Sequence, residues 1–383
     1  MQELEALSLC EENARLTRNA CRPDRGGRPQ QCSASCSGAT QPQKQSPVGS
    51  RILWQPQNTK RITEYCEQLV DSLQPTEEDA SARRKFVQKL QLLVDIALRQ
   101  RYGADFTKVY GGTLHVFGSS EAGLHLPGAD LDVLLSLTQE VSSASKSGLV
   151  QVFATAFEKA GMRDVVPIPG ARVPIVRVCD PVCGLSADIS VNNRLPLANT
   201  LLLRTYTLID ERVRQLCYLV KRWAKQRGLA EAFHHTPSSY AWVNLVLFFC
   251  QHRAIVPNLQ ALAAGAPPSE PNAAEADSTF SASLLTSDGR RVQARFCADA
   301  EVARQALGRQ TAEEGCCSPA SRTAGVGELL LAFFELFSQF DFCARIVSVR
   351  CGAELDGQLP SRSQPDLNHI STISQPDRNT RGR

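Results

Sequence analysis

The chain reads as α/β plus α: a bilobal molecule whose α/β lobe precedes a mainly helical one. Two observations carry this. Apolar residues alternate in short, strand-like runs as far as Val191, and after Leu195 they recur at helical spacing. The 383 residues allow one large or two ordinary domains, and the change of pattern along the chain favours two with a cleft between them.

Composition bounds the function. A hydrophobic fraction of 43% is that of a globular protein. The net charge of +3 argues against a nucleic-acid coat protein and leaves room for a local basic groove. The 14 cysteines are scattered, and Cys10, Cys21, Cys32 and Cys36 fit no zinc spacing, so free thiols in a reducing compartment are expected. The start, MQELEALSLCEENARL, lacks the basic end and apolar core of a signal peptide. The apolar run Tyr240 to Cys250 is shorter than the roughly 20 residues of a membrane span. A cytoplasmic or nuclear protein without a membrane anchor is the expectation.

Element by element, residues 1–56 are rich in Gln, Ser, Pro, Arg and Gly and lack a period, which predicts disorder. Thr76 and Asp79 resemble a capping box, and Phe86, Leu90, Leu93 and Ala97 form the apolar stripe of a helix after it. Residues 57–103 are assigned to helices that pack with the helical lobe. Gly111-Gly112 breaks the chain, and Leu114 and Val116 then alternate with Thr113 and His115 as in a half-buried strand. Strand pattern returns from Ala129 to Leu137, helix over 149–160, and strands at Val173–Val178 and Leu185–Val191 around a turn at Asp180-Pro181 and Gly184. Helix is expected almost throughout 197–352, with 263–288, rich in Ala, Pro and Ser, as a loop insertion. Residues 353–383 are expected to be disordered.

The chemistry concentrates in two stretches. In Asp130-Leu131-Asp132 the carboxylates stand two apart, so a strand turns both to one face. Adjacent carboxylates repel unless a cation neutralises them, and paired hard oxygens suit Mg²⁺ or Mn²⁺. Alone, Asp-x-Asp is commonplace. Here Gly118-Ser119 stands 11 residues ahead, between a strand and a short helix, where a glycine lets backbone approach a phosphate and Ser119 adds a hydroxyl. A third acid, Asp188, sits inside a predicted strand, where an unpaired carboxylate is costly. Three acids on adjacent strands can hold two metal ions, or, on the plainer reading, Asp188 belongs to a structural ion pair. Further on, Val213, Leu216, Val220 and Trp223 stripe one helix, and Lys221 and Lys225 share another part of it.

The stretch Phe117-Gly118-Ser119 through Leu135 resembles the Gly-Ser plus Asp-x-Asp signature of the polymerase-β-like nucleotidyltransferases. Ala171-Arg172-Val173-Pro174-Ile175-Val176, Asp188-Ile189-Ser190-Val191-Asn192-Asn193, Asn199-Thr200, Val220-Lys221-Arg222-Trp223 and Pro237-Ser238-Ser239-Tyr240 are similar to segments of its non-canonical poly(A) polymerase and terminal uridylyltransferase branch. So are Val256-Pro257-Asn258-Leu259-Gln260, Gly327-Glu328-Leu329 and Phe340-Asp341-Phe342, so the likeness runs over residues 60–352. The resemblance implies a mixed-sheet catalytic domain at 104–196 and a helical poly(A)-polymerase-associated domain at 197–352. It implies an enzyme that lengthens RNA 3′ ends from UTP, with ATP as the alternative substrate and an inactive RNA-binding or scaffold homologue as the other alternative.

For single residues the resemblance implies Asp130, Asp132 and Asp188 as ligands of Mg²⁺ or Mn²⁺, and Gly118 and Ser119 as the grip on the triphosphate. Asn199 and Thr200 would touch the ribose, Lys221, Lys225 and Ser239 the phosphates, and Tyr240 would stack on the base. Two departures stand out. Ala129 replaces a frequent serine, and the chain after Gly352 lacks the acidic-Asp-Pro-aromatic segment that closes the helical domain in relatives, which leaves base choice open. No RNA-recognition module is visible, so the choice of RNA is expected to rest on a protein partner that targets it or on the cleft itself.

Overall fold

The computed structural model describes residues 56–234, 236–265, 278–286, 290–314, 323–342 and 344–356. Its α/β lobe is built on a five-stranded mixed sheet: β1 (Gly111–Phe117), β2 (Leu131–Leu137), β3 (Arg163–Ile168), β4 (Ile175–Cys179) and β5 (Ser186–Val191), in the order β1-β2-β5-β4-β3. Only β2 and β5 run parallel. The pleat sorts each strand by parity. Leu131, Val133 and Leu135 of β2, Val176 and Val178 of β4, and Ala187, Ile189 and Val191 of β5 face one core. Asp132, Arg177 and Asp188, at the intervening positions, are left to the other face.

Two helices cover the apolar face. α1 (Pro56–Leu73) precedes α2 (Glu77–Tyr102), and after the one-turn α3 (Phe106–Tyr110) and α4 (Gly118–Glu121) comes α5 (Ser143–Lys159). Thr76 caps α2 by accepting the Asp79 N–H at 3.2 Å. Phe86, Leu90, Val94, Ala97 and Leu98 of α2 join Leu149, Val150, Phe153 and Phe157 of α5 over the sheet. This corrects the assignment of all of 57–103 to the helical lobe. α1 does pack there, through Cys66, Val70 and Leu73. The stripe of α2 instead belongs to the sheet, because a one-sided sheet must bury its apolar face under a helix.

The helical lobe comprises α6 (Leu195–Ile209), α7 (Glu211–Gln226), α8 (Ser239–His252), α9 (Leu259–Gly265), α10 (Ala300–Glu314) and α11 (Val326–Ser338). None of the described helices is long and apolar enough to cross a membrane. Two ribbons interrupt the helices: β6 (Thr279–Leu285) with β7 (Arg291–Cys297), and β8 (Arg345–Ser348) with β9 (Ala353–Asp356). The expected loop insertion 263–288 therefore contains α9's end and a strand, and the expected disordered tail begins as a strand. Both ribbons draw on alternating patterns too short to stand out against helical surroundings, and β3 was hidden likewise, being an exposed edge strand that contains Pro167. The disorder expected for residues 1–56 and 353–383 falls, apart from Pro56 and 353–356, outside the described residues.

Candidate active site

The site forms where β1 hands the chain to α4. Phe117 is extended, and Gly118 turns with φ +70°, a left-handed value that favours glycine. A Cβ on Gly118 would lie 2.3 Å from Asp132 Oδ2, so glycine is required there twice over, by torsion and by space. The Gly118 N–H donates to Thr200 Oγ1 (2.8 Å), and that hydroxyl donates in turn to the Pro196 carbonyl (2.7 Å). Thr200 is buried and its hydroxyl is committed on both sides. It holds Gly118 in place. Next to it, Asn199 Oδ1 is buried without a hydrogen-bond partner. An orphaned acceptor is the exception in folded proteins and suits a ligand's hydroxyl.

Two of the three carboxylates meet as the pleat dictates, while Asp130 is exposed and precedes β2 instead of sharing its face as expected. Asp132 and Asp188 are direct neighbours across the parallel β2–β5 pair, and Asp130 lies two residues before Asp132. Burial, then the charges of Asp188 and Asp130, push the Asp132 carboxyl up from 3.8 to about 6. Sequence reading missed the fourth member, Arg177. It stands opposite Asp188 on β4 and donates from Nε and Nη2 to the two Asp188 oxygens, both at 2.8 Å. Its signal was faint: a lone charge at an alternate position of an apolar strand. Among the described residues no three acid, histidine or cysteine side chains converge as a ready metal site, and Arg177 holds both Asp188 oxygens. The donors themselves, all carboxylate oxygen and mutually repelling, are of the kind a hard divalent cation relieves.

The segment from α4 to β2 links the lobes. Ala122, Leu124 and Leu126 insert into the helical core. Tyr218 of α7 donates to the Gly123 carbonyl at 3.0 Å, and Lys221 Nζ donates to that of Leu124. Lys221 is only 6% exposed, and burial pulls its ammonium down to about 8. One turn later Lys225 is exposed. Ser239 and Tyr240 open α8, where Ser238, not Ser239, provides the cap by accepting the Ala241 N–H at 3.2 Å. Ser239 is exposed, and Tyr240 shows 39% of its surface.

Several known proteins are similar to this chain. Residues 62–208 match the family described as poly(A) RNA polymerase, mitochondrial-like, central palm domain. The chain is 34% identical over 209 residues to human terminal uridylyltransferase 7, covering 53% of this chain and 13% of that protein. It is 33% identical over 193 residues to the fission yeast Schizosaccharomyces pombe poly(A) RNA polymerase cid11, covering 50% of this chain and 38% of the relative. Against terminal uridylyltransferase cid1 of the same yeast it is 29% identical over 214 residues, 53% and 49% of the two chains. The chain thus spans less than half the length of these relatives. Among solved structures, the MgGTP-bound Cid1 poly(U) polymerase superposes with a TM-score of 0.58 at 24% identity, over 78% of this chain and 81% of that one. A cytoplasmic RNA terminal U-transferase does so with 0.54 at 23% identity, over 76% of both chains. At such identities the likeness is one of fold.

Proposed function

Because residues 62–208 of this chain belong to the non-canonical poly(A) polymerase and terminal uridylyltransferase family, and its bilobal fold is the polymerase-β-like nucleotidyltransferase fold, we propose that the protein is a template-independent RNA 3′-end nucleotidyltransferase. The observation that carries this reading is the pairing of Asp132 with Asp188 beneath a glycine whose missing Cβ leaves room beside Asp132 Oδ2.

Asp130, Asp132 and Asp188 would hold one or two divalent cations, Mg²⁺ or Mn²⁺. A bound cation supplies Lewis-acid polarisation of the α-phosphate and eases deprotonation of the attacking hydroxyl. The RNA 3′-oxygen bonds to the α-phosphorus of the NTP, and the bond to pyrophosphate breaks. The RNA leaves one nucleotide longer.

The chain's own residues orient the reactants. Gly118 lets the triphosphate approach the backbone, and Ser119 donates to it. Lys225 and Ser239 neutralise and bind phosphate oxygens, while Lys221 acts through the Leu124 carbonyl it holds. Asn199 Oδ1 accepts from a ribose hydroxyl, and the Tyr240 ring stacks on the base, an arrangement worth roughly 1–3 kcal/mol per base. UTP is the first choice of nucleotide and ATP the alternative, since relatives of both names match comparably. A second reading, a catalytically inactive RNA-binding homologue, draws on the hold of Arg177 over Asp188.

The test is incubation of purified protein with labelled single-stranded RNA, Mg²⁺ or Mn²⁺, and each NTP in turn, beside Asp130→Ala/Asp132→Ala. Extension by wild type that the double variant loses is expected, with the most UMP incorporated from UTP. A folded protein that extends RNA with no NTP would favour the inactive homologue.

A further inference from the structure

Between the Gly118-Ser119 turn and Asp130 the chain loops out and returns, and the span between the two halves of the site depends on what fixes that loop. One buried side chain fastens both of its ends. Arg83 of α2 is 6% exposed. Its Nη1 donates to Ser120 Oγ at 3.1 Å, and its Nη2 donates to the Ala129 carbonyl at 2.8 Å. Ser120 follows the triphosphate-gripping Ser119; Ala129 precedes Asp130. The third nitrogen, Nε, donates to Asp79 Oδ2 at 2.9 Å, which orients the guanidinium plane. The same Asp79 oxygen is 3.2 Å from His125 Nε2, so the middle of the loop is tied to the same anchor. Asp79 is itself fixed by the Thr76 cap at the start of α2.

Position 83 continues the buried stripe of Phe86 and Leu90 at i, i+3 and i+7, where an apolar residue would serve packing better. A buried guanidinium is retained only where it is hydrogen-bonded, and here two of its bonds go to the loop and one to Asp79 of its own helix. Its planar fork reaches three directions at fixed angles, which an ammonium cannot copy.

We infer that Arg83 is a positioning residue: it sets the distance between the Gly118-Ser119 grip and the Asp130 and Asp132 carboxylates, and nucleotide affinity depends on it. The inference rests on the nucleotidyltransferase reading. α2, though part of the sheet's core packing, thereby reaches the nucleotide side of the site.

The experiment uses the full chain as wild type, Arg83→Lys, Arg83→Met and Ser120→Ala. Binding of Mg-UTP and Mg-ATP is measured by displacement of a fluorescent nucleotide, and binding of a labelled RNA separately. Single-turnover extension and thermal unfolding accompany both. For Arg83→Lys the expected result is a weakening of nucleotide binding by about tenfold, the scale of one lost charged hydrogen bond, with RNA affinity unchanged. Ser120→Ala, which removes one anchor and should fold normally, is expected to lose about threefold in the same direction. Arg83→Met should show the larger defect or fail to fold, in which case the two milder variants decide. Wild-type nucleotide affinity and turnover in both folded variants would overturn the inference, as would a parallel loss of nucleotide and RNA binding, since either assigns Arg83 to stability alone. A wild type that neither binds nor transfers nucleotide would remove the enzymatic reading itself, and the inference with it.

Discussion

Asp132 bears the electrostatic strain of the site, and its titration has a definite sign. An acid whose folded pKa is raised holds its proton more tightly when folded, so it costs nothing below the unfolded value of 3.8 and the full penalty above about 6. Asp132→Asn is therefore expected to stabilise the protein in chelator-containing buffer at neutral pH, by up to about 3 kcal/mol, while abolishing transfer. The advantage should shrink to nothing as the pH falls to about 4. Denaturant titrations of both proteins across this range check it; a constant difference at all pH values would contradict the raised pKa. At Gly118 the prediction is steric. Gly118→Ala has to move the Asp132 carboxylate or the turn, and a displacement of that size should cut single-turnover extension by about 100-fold with the far-ultraviolet spectrum unchanged.

At the scale of elements, the approach of α11 to α1 is as close as backbone allows. A Cβ on Gly327 would sit 2.5 Å from the Thr63 nitrogen and 2.7 Å from its Cα, atoms that cannot swing aside. Gly327→Ala should force the two helices apart and lower stability by about 1–3 kcal/mol, readable as a shifted denaturation midpoint. Other elements show what a sequence conceals. The apolar stripes of α2 and α7 and the alternation of β2 and β5 were legible, because period 3.6 and period 2 are local properties. The destination of the stripe was not. Leu93 was expected on the core side of α2, yet Val94 and Leu98 are buried and Leu93 only partly so, because the sheet and α5 beneath the helix select the face.

Across the whole molecule, two hydrophobic cores meet through the loop that carries the site. Leu124 is 2% exposed and lies in the helical core, while the ends of its loop are fastened to α2 over the sheet. The lobes are therefore expected to unfold together. Leu124→Ala should cost about 2–5 kcal/mol and lower one calorimetric transition. Two separated transitions, only one of them shifted, would show the lobes to be thermodynamically independent.

The sequence by itself determined the order of the lobes, the strand positions of Asp132 and Asp188 and the Gly118-Ser119 turn, because each follows from spacing along one strand or turn. Only the tertiary structure decided that Asp188 stands beside Asp132, that Arg177 holds it, that Thr200 holds Gly118, that Lys221 is buried against Leu124, and that Arg83 ties both ends of the loop. Those are pairings between residues 11 to 97 positions apart, set by strand order and by the packing of two cores, and hydrophobic periodicity carries no record of which distant face meets which.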